Sequence, residues 1–364
     1  MELFSENILL LECLKRKKDL AKIEELLSAV SDWDDFLKKV SCYHLEGFVY
    51  ETFSRIKNTE LLPSYVLKSI NQDIADITYR NSVQLELLKT IIHNWNSNGI
   101  SSIVLNDIFL LEYIYNNIGI KRLTNIDILI TEQSLEKAAK ILRNIDFEVN
   151  DDFLKSLAVE GLDKKKNDYK SGINIYANIY SEKDIYAKDV WTNNKQLVIH
   201  NSMVYTLNPT YVLFELCMQL YNNLSDKRNN LIRYIDIAWT MDKCQKEINW
   251  IELEELCNIH NVKQFVSSIV HLSIKYFNIR ITNNSIKNLF QTEIVKYENQ
   301  FLNLLQDPKE INHQVERNKI VAYRNIGLVN SIKHSLMTLI QPNSLKIYRL
   351  RFQSPETFYV YLKA

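Results

Sequence analysis

Residues 100–130, ISSIVLNDIFLLEYIYNNIGIKRLTNIDILI, change their apolar period more than once. ISSIVL (100–105) is a short apolar run of strand type, 108–116 repeats its apolar residues at helical spacing, and IDILI (126–130) is a second strand. A helix follows over 134–145, with Leu135, Ala138, Ala139 and Leu142 on one face. Strand, helix, strand, helix is an α/β unit. Within the second strand one carboxylate, Asp127, sits among isoleucines and a leucine, with Asn125 two positions before it. A period of two aims 125, 127 and 129 at one side of a sheet, about 7 Å apart. Two acids so placed near a strand end can share divalent ions, and here one of the two places holds an amide.

Upstream of this unit the pattern is helical almost throughout 1–95. Pro63 and Ser64 mark a restart, and Ile70, Ile74, Ile77, Leu85, Leu88, Ile92 and Trp95 then trace one long amphipathic helix. Polar Asn81 and Gln84 interrupt its apolar face. NSNG (96–99) supplies the stop, with Gly99 suited to a left-handed cap. Downstream, INIYANIY (173–180) alternates as a half-exposed strand should, KKKND (164–168) reads as the loop before it, and QLVIH (196–200) as one more strand. From Asn208, a candidate N-cap ahead of Pro209, helices continue to about residue 340. The tail PNSLKIYRLRFQSPETFYVYL (342–362) is expected to pack across another domain. The expected fold class is α+β and mostly helical: a helical domain over 1–97, a small mixed α/β core over 98–206, and a second helical domain over 207–364.

Composition narrows the function. Hydrophobic residues make up 46% and charged residues 24%, a globular balance. Lys plus Arg equal Asp plus Glu at 44 each, which provides no global field for nucleic acid or an anionic membrane. The N-terminus places its basic cluster after its apolar run, the wrong order for a secretory signal, and no apolar run approaches membrane-spanning length. A cytoplasmic protein is expected. Five cysteines, an odd number without metal-ligand spacing, are read as structural thiols. The glycines, six in all, form neither a P-loop nor a dinucleotide cradle, and no serine nucleophile elbow occurs.

The segment IVLNDIFLLEYIYNNIGIKRLTNIDILITEQSLEKAAKILRNIDFEV (103–149) resembles the central part of the uncharacterised bacterial nucleotidyltransferase family, within the DNA polymerase β-like superfamily. The resemblance extends to DWDDFLKKVSCYHLEGFVYETF (32–53), to 208–241 with its YIDIAW, and to the proline-rich C-terminal tail, and so covers most of the chain. Leu105, Tyr115, Arg122, Asp127 and Leu129 match the family pattern. Asn106 and Asp107 stand where that pattern has Lys and Gly, Asn125 where it has the first acid of Asp-x-Asp. The third acid falls at Asn174, with Tyr176 in the place of a His, and Gln219 takes another His position.

The resemblance implies Mg²⁺-dependent transfer of a nucleoside monophosphate from an NTP to an unknown small-molecule or peptide acceptor. Asp127, Asn125 and Asn174 would occupy the catalytic positions, and Asn106, Asp107, Arg122 and Tyr176 would line the nucleotide. Asp127, with Asp107 as a substitute ligand, would hold the metal. Amides in place of two carboxylates lower the site's affinity for Mg²⁺, so weak or absent transfer is expected. The alternative is a catalytically dead relative, without cofactor, that uses the same cleft to bind a peptide or metabolite or to scaffold a biosynthetic pathway. Read without the resemblance, Asp127 is better taken as an acid that caps the sheet edge or pairs with Arg122 or Lys121, and Asp236 in YIDIAW as a helix acid paired with Arg233.

Overall fold

The computed structural model of the protein describes residues 4–145, 147, 149, 158–162, 172–176, 189–199, 202–226, 231–281 and 295–306. They lie within one unit, Met1–Gln306. The KKKND loop, the far half of INIYANIY (177–180), His200, the helices expected beyond 306 and the tail at 342–362 fall outside the described residues.

Four short helices open the chain: α1 (Ser5–Leu14), α2 (Leu20–Ser28), α3 (Trp33–Cys42) and α4 (Glu46–Phe53). Asp19 and Asp32 cap α2 and α3 by accepting from the backbone N–H groups of Lys22 and Asp35. The long helix α5 (Ser64–Ser97) begins directly after Pro63, as expected. It ends in a Schellman turn in which Ile100 N donates to Trp95 O at 2.9 Å and Gly99 takes φ +70°.

The α/β part follows as β1 (Ser102–Val104), α6 (Asn106–Phe109) continued by a π-helical stretch (Leu110–Tyr115), β2 (Asn125–Ile130) and α7 (Leu135–Asn144). Next come β3 (Ala158–Leu162), β4 (Gly172–Tyr176), α8 (Asp189–Thr192), β5 (Asn194–Ile199) and β6 (Ser202–Leu207). Helices α9 (Pro209–Asp226), α10 (Leu231–Cys244), α11 (Trp250–Ile259), α12 (Lys263–Phe277) and α13 (Val295–Gln306) complete the described chain. Asn208 caps α9, its Oδ1 accepting from the N–H groups of Thr210 and Tyr211 at 2.9 and 3.1 Å. The fold is α+β and mostly helical, around a small mixed sheet. No described helix is long and apolar enough to cross a membrane.

The sheet has six strands in the order β3-β4-β2-β1-β6-β5. Strand β2 runs parallel to β4 and antiparallel to β1, and β1 runs parallel to β6. Strands β3 and β6 extend the sheet beyond what periodicity predicts, β6 as the hairpin partner of β5. Ile126, Ile128, Ile173 and Ile175 are fully buried on one side of the sheet. The other side carries Asn125, Asp127 and Leu129 of β2.

Helix α10 runs through the core. Leu231, Tyr234, Ile235, Asp236, Ile237, Ala238, Trp239, Thr240, Met241 and Cys244 are all buried, so apolar surface is spread around the whole helix and not gathered in one stripe. The Trp239 indole donates to Leu14 O at 2.8 Å, joining α10 to α1. Phe48 of α4 packs edge-on against both Tyr115 and Trp239, with ring centroids 5.3 and 5.9 Å away.

Candidate functional site

The antiparallel pairing of β1 with β2 brings the end of β1 beside the beginning of β2. Leu105 N donates to Asp127 O at 2.9 Å, so Asp127 lies where β1 gives way to α6. On its other flank the parallel register sets Asp127 opposite Asn174 and Asn125 opposite Gly172. Asn174 Nδ2 donates to Asp127 Oδ1 at 2.6 Å. Leu129, deeper along the strand, is buried, whereas Asn125 and Asp127 are half-buried and reach the margin of the sheet. Tyr176 pairs in register with Leu129, on the same side as Asp127. The sequence places Asn125, Asp127, Asn174 and Tyr176 in one constellation, and the strand register brings these four together.

The loop between the π-helical stretch and β2, NNIGIKRLT (116–124), is fixed by the two polar residues that interrupt the apolar face of α5. Asn81 Nδ2 donates to Ile118 O and Lys121 O at 2.5 and 2.7 Å, and its Oδ1 accepts from Leu123 N at 2.9 Å. Gln84 Nε2 donates to Leu123 O at 3.1 Å. An amide inside a helix thus meets backbone groups that a buried loop would otherwise leave unpaired. From the other side α4 presses on the same loop through Gly47, where a Cβ would come within 2.1 Å of Ile120 O. Only the absence of a side chain permits that approach.

The loop delivers Lys121 into a buried ionic cluster that periodicity does not reveal. Lys121 Nζ lies 3.0 Å from Asp107 Oδ1 and 3.0 Å from Asp236 Oδ2. Arg233 Nη1 reaches the same two carboxylates at 2.9 and 2.8 Å. Tyr115 donates its hydroxyl to Asp236 Oδ1 at 2.5 Å. Burial alone would raise the Asp107 carboxyl, but Lys121 and Arg233 outweigh it and hold the group well below the usual carboxylate range. Burial, helped by Asp236, pushes the Tyr115 hydroxyl well above its ordinary value. The expected Arg233 to Asp236 pair is present within a wider network. Asp107, placed by sequence among metal ligands, holds two cations here.

Arg122, the next residue, is exposed and sits 3.4 Å from Asp76 of α5. Asn106 is buried, and its Oδ1 accepts no hydrogen bond among the described residues. Asp127 pairs with Asn174, while the two basic residues weighed as its partners go to other carboxylates: Lys121 to Asp107 and Asp236, Arg122 to Asp76. Among the described residues no three His, Cys, Asp or Glu side chains gather as a metal site.

Glu46, at the start of α4 beside this loop, is 7% exposed, and its Oε2 has no hydrogen-bond partner among the described residues. Burial pushes its carboxyl up to about 7, with Asp73 adding to the rise and its own backbone N–H and Arg122 opposing it. The unfolded group titrates near 4.5, so the unfolded chain loses this proton first and folding stability declines as pH rises from about 4.5 to about 7. The loss is expected to be about 1–2 kcal/mol, less than the full shift because water screens part of the group. Glu46→Gln removes that decline, which urea titrations at about pH 5 and about pH 8 read directly.

A profile of the uncharacterised nucleotidyltransferase family matches residues 29–278, more than half of the chain. The chain belongs to that family. The stretch that matches the nucleotidyltransferase profile runs from just before α3 to the end of α12 and takes in the whole sheet, Asp127, Asn174 and the ionic cluster. Among solved structures, an antigenic nucleotidyltransferase-like protein from Paracoccidioides brasiliensis aligns at 13% identity, over 56% of this chain and 96% of that one, with a TM-score of 0.36. No curated protein matches.

Proposed function

We propose that the protein is a nucleotide-binding nucleotidyltransferase relative in which transfer of a nucleoside monophosphate is weak or lost. Family membership supports the nucleotide, and the pairing of Asp127 with Asn174 supports the loss. Asn174 stands opposite Asp127 with a neutral amide that brings no charge to a shared cation, and Asp107 Oδ1 is already engaged by Lys121 and Arg233. Among the described residues no three His, Cys, Asp or Glu side chains gather around Asp127, which does not fit a pair of magnesium ions that take several hard oxygen ligands. In this reading Asp127 orients the ligand at the sheet margin, Arg122 steadies a phosphate, and Asn125 and Tyr176 contribute hydrogen bonds.

A second reading, a scaffold that binds a peptide, draws support from another part of the same sheet. Met203 and Tyr205 of β6 and Val198 of β5 are 50%, 40% and 65% exposed. The register through Ile103 and Leu129 sets Tyr205 on the Asp127 side. An apolar row of this kind is uncommon on a surface without a partner.

Thermal melting with ATP, GTP, CTP and UTP, each with and without Mg²⁺, tests the two. A ligand at one hundred times its Kd adds about 2.7 kcal/mol to the native state. A rise in Tm with at least one nucleotide that is lost in Asp127→Ala is the expected result. Unchanged melting with all four nucleotides would overturn the nucleotide reading in favour of the scaffold.

A further inference from the structure

We infer that Lys121 and Arg233 form an oxyanion site whose place is taken, in the free protein, by the protein's own Asp107, and whose other occupant is a terminal phosphate or pyrophosphate group. The inference rests on the reading of this end of the sheet as the nucleotide cleft, and it adds a form of regulation: the chain carries its own competitor for the phosphate.

Both cations converge on a single oxygen. Lys121 Nζ at 3.0 Å and Arg233 Nη1 at 2.9 Å share Asp107 Oδ1, the arrangement in which a phosphate oxygen is held by two charged donors. The cluster is layered. Asp236 is fully buried and also accepts from Tyr115, so it belongs to the protein's interior. Asp107 and Arg233 form the outer layer, with side chains 13% and 19% exposed, so the Asp107 carboxylate is the member that can leave. Two cations and two carboxylates cancel. Displacing Asp107 leaves one uncompensated positive charge in a partly buried place, where Coulomb interaction is several times stronger than in water. Asp107 lies two residues beyond Leu105, whose N–H is bonded to Asp127 O, at the end of β1 next to which Asp127 stands.

The test uses the full chain and inorganic pyrophosphate in metal-free buffer containing a chelator, with sodium chloride at matched ionic strength as the control. Asp107→Asn keeps an acceptor oxygen for both cations while removing the charge, and Asp107→Gly removes the whole group. Without pyrophosphate both variants are expected to melt below the wild type, and pyrophosphate is expected to restore them beyond the effect of chloride. By calorimetry Asp107→Asn is expected to bind pyrophosphate about tenfold tighter than the wild type. The gain should vanish when Arg233→Gln is added. If either variant fails to fold, refolding from urea with pyrophosphate against chloride gives the same reading. No gain over chloride in either variant, by melting or by refolding, overturns the inference. Because these measurements use neither Mg²⁺ nor an Asp127 variant, restoration by pyrophosphate without any nucleotide effect on the wild type would sink the nucleotide reading alone. The reverse pattern would sink only the oxyanion site.

Discussion

Asp236→Asn is expected to lower the free energy of unfolding by about 3–5 kcal/mol, the cost of leaving buried charge without its partner. Asp236 is fully buried and Lys121 is 3% exposed, so neither can turn to water when the other is neutralised. The asparagine also forfeits one of two oxygens that together accept from Tyr115, Lys121 and Arg233. Urea denaturation would show a lower midpoint with an unchanged slope. A cycle pairing Asp236→Asn with Lys121→Met should return a coupling above about 1 kcal/mol, since the two side chains are in direct contact. Additive losses would mean that the cluster is not one unit.

Phe48→Ala is expected to cost about 3–5 kcal/mol. The ring is fully buried and meets Tyr115 and Trp239 edge to face, while those two lie 5.0 Å apart at 61°. Truncation removes apolar contact from both neighbours and leaves a void that helices α4 and α10 cannot readily close. Phe48→Leu, which keeps most of the volume, is expected to lose less than about 1.5 kcal/mol. Equal losses for the two variants would show that the ring geometry contributes and volume does not.

Local patterns made much of this fold legible. The long α5, the Gly99 stop, the β1-α6-β2-α7 unit and the Asn208 cap all follow from spacing and capping chemistry over a few residues. Strand β6 did not announce itself, because Met203 and Tyr205 are apolar yet exposed and so blur the inside-outside alternation on which a strand reading depends. Asn81 and Gln84 were visible as interruptions, but their purpose depends on a loop 37 to 42 residues further along. Asp107 was the hardest residue to place. Its partner Arg233 is 126 residues away, and no periodicity links them. What spacing could show was the short-range pair of Arg233 with Asp236, one edge of the network.

The three rings of Phe48, Tyr115 and Trp239 come from the first helices, the α/β segment and α10, and the Tyr115 hydroxyl ends on a carboxylate of that last helix. Expressing the α/β segment alone would strip two aromatic neighbours from Tyr115 and orphan Lys121. The smallest autonomous piece of this chain therefore begins ahead of Phe48 and ends beyond Trp239, and the α/β segment excised alone would be a fragment in search of its own interior.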